Sequence, residues 1–229
     1  MKTSNKGLVE IIGHEGIGLS KYKDSVGVWT IGVGSTVTEI PDITSWPLTK
    51  QITIEDAFDL FSKSIVTYEN ELNKYIHKLI PQYQFDALVS WCYNVGIGWV
   101  KKATVIRLIN NGADPGQLYD ALMMFKSPPE IIGRRTKEAK LLAYGMYSEG
   151  GKALLFPVSS KGYPMYKAAT MINVWEHLNI KSEVAPTVPV VPKEIENTLA
   201  VKPDTSLIKN VVSLIGSVYS ALTTKPISK

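Results

Sequence analysis

The chain is poor in the residues that most often bind metals or form disulfide bonds. Its 229 residues include one cysteine, Cys92, and three histidines, His14, His77 and His177. A single cysteine excludes an internal disulfide, so folding does not depend on an oxidising compartment. The histidines are too scattered to predict a zinc site, and we expect neither a metal nor another cofactor. Cys92 lies in an apolar helical run and is expected to be a buried thiol, not a nucleophile.

Long apolar runs and dense basic runs are also missing. No stretch of 18 apolar residues occurs and the first eight residues are mainly polar, so we expect neither a membrane-spanning helix nor a signal peptide. The formal net charge of +4 suits weak attraction to an anionic cell wall and does not predict nucleic-acid binding. Two glycine-rich stretches, residues 32–34 and 96–98, lack the remaining residues of nucleotide-binding loops.

The most informative feature is a group of acidic and hydroxyl residues among glycines near the N terminus. Glu15 follows an apolar helical pattern and precedes Gly16, so we expect it near a helix C terminus, among apolar neighbours. The helix C terminus and the apolar neighbours would both penalise the charged carboxylate and raise its pKa, as a general acid requires. Asp24 lies in a polar turn and is expected to stay ionised. Two carboxylates in such unlike surroundings are typical of glycoside hydrolysis.

The spacing of these two acids is weak evidence by itself. The first sixty residues contain eight acidic residues, and surface carboxylates are mostly solvated. From the pattern alone, a structural or solvent-exposed pair is the more common explanation.

Three blocks of the sequence resemble the phage-type lysozymes, the group that includes the lambdoid endolysins. That family has a glutamate, eight residues, an aspartate or cysteine, five residues and a threonine, which are matched here by Glu15, Asp24 and Thr30. Residues 84–98 and 133–141 resemble the second and third blocks of the family. The resemblance covers about residues 4–148, and three ordered blocks are more specific than any one of them.

The resemblance implies a muramidase that cleaves the β-1,4 bond between N-acetylmuramic acid and N-acetylglucosamine in peptidoglycan. In that reaction Glu15 would protonate the leaving oxygen, while Asp24 and Thr30 would place and activate a water on the opposite face of the sugar. This inverting arrangement requires the two carboxyl groups to stand roughly 6.5 to 9.5 Å apart. The aspartate favours hydrolysis over the reaction of lytic transglycosylases, which need no base at that site. Peptidoglycan strands are therefore the expected partner.

Four further polar residues stay unassigned at this point. In the family an arginine of the third block lies near the catalytic acid, so Arg134 or Arg135 could orient Glu15, but adjacent basic residues are equally typical of a solvated helix face. Asn94 could line the cleft or end a helix. His14 is expected to be incidental.

The resemblance also implies a biological setting, which is host-cell lysis by a phage or prophage. Without a signal peptide, the protein would collect in the host cytoplasm and reach the periplasm and cell wall through a holin. It would differ in this from lambdoid relatives that carry an N-terminal signal-anchor. The alternative function is a non-catalytic peptidoglycan-binding or structural module with a lysozyme-like fold. Retention of all three motif positions argues against that alternative. The host and the product stereochemistry stay open.

The predicted fold is α+β and mostly helical, with a small β-containing N-terminal lobe, a long connecting helix and a helical C-terminal lobe. A capping-box pattern at Thr53 predicts the start of the long helix, whose apolar stripe runs to Leu79 and would span ~39 Å. We expect a catalytic domain at 1–150 and an extension of unknown role at 151–184.

Two segments are predicted beyond the extension. Four prolines favour a linker over residues 185–203, and an apolar stripe predicts an amphipathic helix over residues 204–229. The helix could dock on its own catalytic domain or self-associate. Membrane contact is less favoured because its polar face is rich in serine and poor in lysine. A monomer is expected.

Overall fold

A computed structural model describes residues 1–148 and 150–178 of the chain. Its helices and strands, in chain order, are α1 (Asn5–Glu15), β1 (Ile17–Lys23), β2 (Trp29–Gly32), α2 (Ile54–Tyr75), α3 (Gln82–Val95), α4 (Thr104–Asn111), α5 (Pro115–Met123), α6 (Ile132–Tyr144), β3 (Lys152–Phe156), β4 (Thr170–Asn173) and α7 (Val174–His177). The predicted α+β, mostly helical class is confirmed. The predicted linker at 185–203 and helix at 204–229 lie outside the described residues.

The first helix carries Glu15 to the start of the sheet. α1 begins after Ser4, whose hydroxyl accepts a hydrogen bond from the Gly7 amide at 3.1 Å and so caps the helix. It ends at Glu15 because Gly16 takes a φ of 71°, a left-handed value that favours glycine. Glu15 is therefore the last residue of the helix, at the terminus that the sequence predicts.

Four strands form one sheet in the order β2-β1-β3-β4. β1 pairs antiparallel with β2 and parallel with β3, while β3 pairs antiparallel with β4. Two of the four strands therefore come from residues 152–173, in the extension for which the sequence indicated no role. The sheet is built from both the beginning and the end of the described chain.

β1 is bent in its middle. Gly18 pairs with Gly32 and Tyr22 pairs with Thr30, so the register shifts between these two pairs and β1 has the extra residues. Such a bulge curls a strand and shortens its reach. Glu15 lies just before one end of this bent strand and Asp24 just after the other.

The long helix α2 starts as predicted and ends earlier. The capping box between Thr53 and Asp56 is present, with both bonds at 3.0 Å. The helix has 22 residues, or about 33 Å, and ends at Tyr75 instead of Leu79.

Asn110 of α4 accounts for the early end of α2. Its side-chain amide donates to the Tyr75 carbonyl at 2.7 Å, and its Oδ1 accepts from the His77 amide at 2.8 Å. This contact satisfies backbone groups that further helical turns would otherwise use. A residue 35 positions away thus ends the helix.

The main core is centred on α3, which packs against α1, α2 and α6. Phe85, Leu88 and Trp91 are fully buried there, and Cys92 is buried as predicted. Burial raises the pKa of the Cys92 thiol to about 12, which keeps it protonated and unreactive at neutral pH. Over residues 1–148 and 150–178, no helix combines the length and the apolar character needed to cross a bilayer.

Candidate active site

Glu15 is held from the side by a largely buried arginine. Its side chain is 24% exposed, and its Oε1 accepts a hydrogen bond from Arg134 Nη1 at 2.5 Å. Arg134 lies on α6 and also donates from Nη2 to the Ser90 carbonyl of α3 at 3.2 Å. The orientation of Glu15 therefore depends on two helices that follow it in the chain by many residues.

Arg134 belongs to a larger network with Glu138 at its centre. Glu138 is only 1% exposed and accepts from Arg134 Nε at 2.9 Å, from the Ser90 hydroxyl at 2.6 Å and from Arg135 Nη1. Arg135, which is fully buried, also donates to the Asn94 Oδ1 at 2.5 Å. The alternative of a solvated basic face does not hold for either arginine. Asn94 lies near the end of α3 and contacts the same network.

The charges of this network balance. Glu15 and Glu138 offset Arg134 and Arg135, which is the condition under which buried charges are tolerated. Burial alone would lower the pKa of Arg134, but the two carboxylates outweigh burial and raise that pKa above its usual value. Arg134 therefore keeps its positive charge at every pH of interest.

His14, beside Glu15 in the chain, stays neutral. Burial, followed by the positive charges of Arg134 and Lys137, lowers the pKa of His14 from its ordinary value of 6.5 to about 3. An imidazole without charge adds nothing to the electrostatic balance at neutral pH. That His14 is incidental to the chemistry stays a prediction.

Asp24 is held by its own turn. Its Oδ1 accepts from the amides of Val26 at 2.9 Å and Val28 at 2.8 Å, and its amide donates to the Val28 carbonyl at 3.0 Å. Both side-chain bonds fix the orientation of the carboxylate within the turn. The turn faces solvent, since Ser25, Val26 and Gly27 are exposed.

Thr30 lies on the strand beside Asp24. It pairs with Tyr22 across β1 and β2, its side chain is buried, and its hydroxyl donates to the Val28 carbonyl at 3.2 Å. A hydroxyl that donates in this way still has lone pairs that can accept a hydrogen bond from a water.

Tyr22 interacts electrostatically with both acids, whereas the sequence predicts it only as an apolar neighbour of Glu15. Burial raises its pKa most, and the negative charges of Glu15 and Asp24, together with Tyr166, raise it further. The Tyr22 hydroxyl is thus within electrostatic reach of both carboxylates. Thr30, the third motif residue, is the cross-strand partner of the same tyrosine.

A groove of about 520 Å³ opens beside the turn of Asp24. Its lining combines that turn with the helical part of the molecule and is formed by Ser25, Asn94, Val95, Trp99, Met124, Phe125, Ser127, Pro128 and Ile131. A concave surface with apolar walls and a few polar groups is typical of a ligand site. Within the described part of the chain, no group of three or more His, Cys, Asp or Glu side chains is arranged to hold a metal ion.

A model of the phage lysozyme family matches residues 12–138, a range that contains Glu15, Asp24, Thr30 and both arginines of the network. The chain belongs to the phage lysozyme family. Residues 152–173, which supply β3 and β4, lie beyond the family match.

Individual relatives agree with this membership. The chain is 38% identical over 100 residues to the SAR-endolysin of Enterobacteria phage P21, a match that covers 44% of this chain and 57% of the P21 protein. It is 29% identical over 145 residues to the endolysin of Salmonella phage P22, which covers 62% of this chain and 97% of that protein.

The fold also matches a solved lysozyme structure. The endolysin from Escherichia coli O157:H7 phage FAHEc1 superimposes with a TM-score of 0.58 and 28% identity, over 65% of this chain and 97% of that one. About a third of the present chain therefore has no counterpart in that structure.

Proposed function

We propose that this protein is a phage or prophage muramidase that hydrolyses the β-1,4 bond between N-acetylmuramic acid and N-acetylglucosamine in peptidoglycan. The observation that supports it most is the pair of unlike carboxylates around Tyr22. Glu15 is tied into a side-chain network, Asp24 lies in a solvent-facing turn, and a groove opens beside that turn. Such a pair is the arrangement that glycoside hydrolysis needs.

In the proposed reaction Glu15 is the general acid. The proton moves from Glu15 to the glycosidic oxygen as the bond from that oxygen to C1 of N-acetylmuramic acid breaks. Arg134 bonds to Oε1 of Glu15, so Oε2 is the oxygen that carries the proton. Because Glu138 shares Arg134, the guanidinium orients Glu15 without its full charge acting on that one carboxylate.

In this proposal the nucleophile is a water that Asp24 and Thr30 position and activate. A water on the opposite face of the sugar donates one hydrogen bond to the Asp24 carboxylate and one to the Thr30 hydroxyl oxygen. Its oxygen bonds to C1 while Asp24 takes up the proton. The backbone amides of Val26 and Val28 both donate to Oδ1 of Asp24, so Oδ2 is available to this water.

The biological role proposed with this activity is lysis of the host cell. The net charge of +4 favours approach to the anionic cell wall, and the protein would reach it from the host cytoplasm through a holin.

Replacement of Glu15 by glutamine tests the proposal most directly. Glu15→Gln keeps the shape and the hydrogen bond to Arg134 but has no proton to give. We expect release of reducing ends from purified peptidoglycan to fall by about 100- to 10,000-fold with an unchanged melting temperature. Glu55→Gln, at an exposed position of α2, is the matched control and should keep full activity.

Two outcomes would contradict this function. Full activity of Glu15→Gln would remove Glu15 from the chemistry. Binding of the native chain to peptidoglycan without release of reducing ends would favour a non-catalytic wall-binding module. Loss of turbidity in permeabilised Gram-negative cells, measured for the native chain and Glu15→Gln side by side, distinguishes these cases.

A further inference from the structure

The loop between β3 and β4, residues 157–169, packs directly against the strands that carry the site. The Gly162 carbonyl accepts a hydrogen bond at 2.8 Å from the amide of Lys23, the residue before Asp24. Gly162 has a φ of 81°, and a Cβ there would lie 2.8 Å from Cη2 of Trp29, the residue before Thr30. No side chain larger than hydrogen fits at this contact, so the loop has a defined position at this end of β1 and β2.

A row of aromatic rings leads from this loop to Glu15. Phe156 contacts Tyr22 on one side and Tyr166 on the other, with ring centroids 5.1 Å apart in both pairs. Phe156 also covers Gly16, where a Cβ would lie 3.2 Å from its Cε1. Tyr166 therefore stands at the outer end of the row, one ring beyond Phe156, which covers the residue that follows Glu15.

Tyr166 is open on the side that Phe156 does not cover. It is 61% exposed, although it is a large ring beside two buried ones, since Tyr22 and Phe156 are 7% and 2% exposed. Burial of its inner side and the negative charge of Glu15 raise the pKa of its hydroxyl, which agrees with a position near that carboxylate. The hydroxyl is protonated at neutral pH and can donate a hydrogen bond.

We propose that Tyr166 is a glycan-contacting residue that forms part of the wall of the substrate cleft on the Glu15 side. This inference rests on the proposed function and extends it to a residue beyond the family match at 12–138. The pyranose ring of a sugar has an apolar face of C–H groups, which packs on an aromatic ring, and hydroxyl and acetamido groups that bond to a phenol. Tyrosine offers both contacts from a side chain with few rotatable bonds.

Binding of a soluble glycan in an inactive background tests this role. The ligand is an oligosaccharide of the peptidoglycan backbone, and the protein is the full chain with Glu15→Gln, titrated by calorimetry. Adding Tyr166→Ala should raise the Kd about five- to tenfold, because the stacking surface is lost. Adding Tyr166→Phe, which keeps the ring, should raise it less than threefold. Tyr144→Ala removes an equally exposed tyrosine from α6 and should leave the Kd unchanged.

A second measurement keeps Tyr166 in place, so it does not require a Tyr166 variant to fold. Tetranitromethane nitrates exposed tyrosines, and peptide mapping gives the extent at each position. The bound oligosaccharide should protect Tyr166 and leave Tyr144 modified as before.

A Kd within twofold of the parent for Tyr166→Ala, or equal nitration of Tyr166 with and without glycan, would overturn the inference. Failure of the proposed function looks different, since the native chain would then release no reducing ends, while the binding comparison among the Glu15→Gln variants can still be made.

Discussion

The two carboxylates of the site are anchored in opposite ways. Glu15 bonds to Arg134, which lies 119 residues further along the chain, and that arginine is itself held by Glu138 and the α3 backbone. Asp24 bonds to the amides of residues two and four positions away. The position of the candidate acid thus depends on how α1, α3 and α6 pack, whereas the position of the candidate base depends on one turn. Substitutions in the network around Glu15 should therefore change the stability of the fold, whereas substitution of Asp24 should change the rate of hydrolysis and leave stability unchanged.

The largest expected effect comes from removing the charge of Asp24. In Asp24→Asn the remaining oxygen can still accept from the two turn amides, so the fold should keep its stability. Loss of the base should lower the rate of peptidoglycan hydrolysis by about 100- to 10,000-fold. Release of reducing ends and thermal unfolding, measured together, check both halves of this expectation. Asp42→Asn changes an exposed acid that bonds Trp46, and it should leave hydrolysis unaffected. Normal activity in Asp24→Asn would mean that Asp24 only shapes the turn.

A change at Glu138 should act first on stability. Glu138→Gln keeps the size of the side chain but leaves the fully buried Arg135 without its charged partner. We expect a loss of about 3 to 5 kcal/mol in the free energy of unfolding, because a buried charge is then uncompensated. Glu71→Gln, which removes a pair between the partly buried Glu71 and the exposed Lys74, should cost less than about 1 kcal/mol. Denaturant titrations measure both, and equal effects of the two changes would show that the network adds no more than a surface pair.

The smallest expected effect is a change in the pH dependence of stability at His14. The folded protein holds the pKa of His14 at about 3, below its ordinary value of 6.5, so the unfolded chain binds the extra proton more readily. The stability linked to His14 is therefore fully present above about pH 6.5 and is lost as the pH falls towards 3.

The variant His14→Gln isolates this contribution. Between pH 6 and 4, the slope of unfolding free energy against pH should be smaller than in the native chain by up to about 1.4 kcal/mol per pH unit. His77→Gln, at an exposed histidine, should leave the slope as it is. Identical slopes for His14→Gln and the native chain would show that His14 titrates alike in both states.

The contrast between local and distant contacts also explains which features could be predicted from the sequence. The turn at Asp24 and the capping box at Thr53 depend on neighbours in the chain, and both of these local expectations are confirmed. The family resemblance added the fold class, because three ordered blocks constrain the whole domain.

Features set by distant contacts were out of reach of this reasoning. The environment of Glu15 is predicted from a helix end and apolar neighbours, whereas the structure places the guanidinium of Arg134 against it, from a helix 119 residues away. The end of α2 at Tyr75 is fixed by Asn110 from another helix. The pairing of β3 with β1 joins segments more than a hundred residues apart, and no short pattern signals it.

That parallel pairing has a consequence for how short a working form of this protein can be. β3 covers the side of β1 that faces away from β2, at Ile17 and Gly18. A chain cut after residue 148 would retain Glu15, Asp24, Thr30 and Arg134, yet its sheet would have an open edge with unpaired backbone groups. Such edges pair with other molecules and promote aggregation. We therefore expect the smallest well-behaved version to extend through Asn173, well past the end of the family match at residue 138.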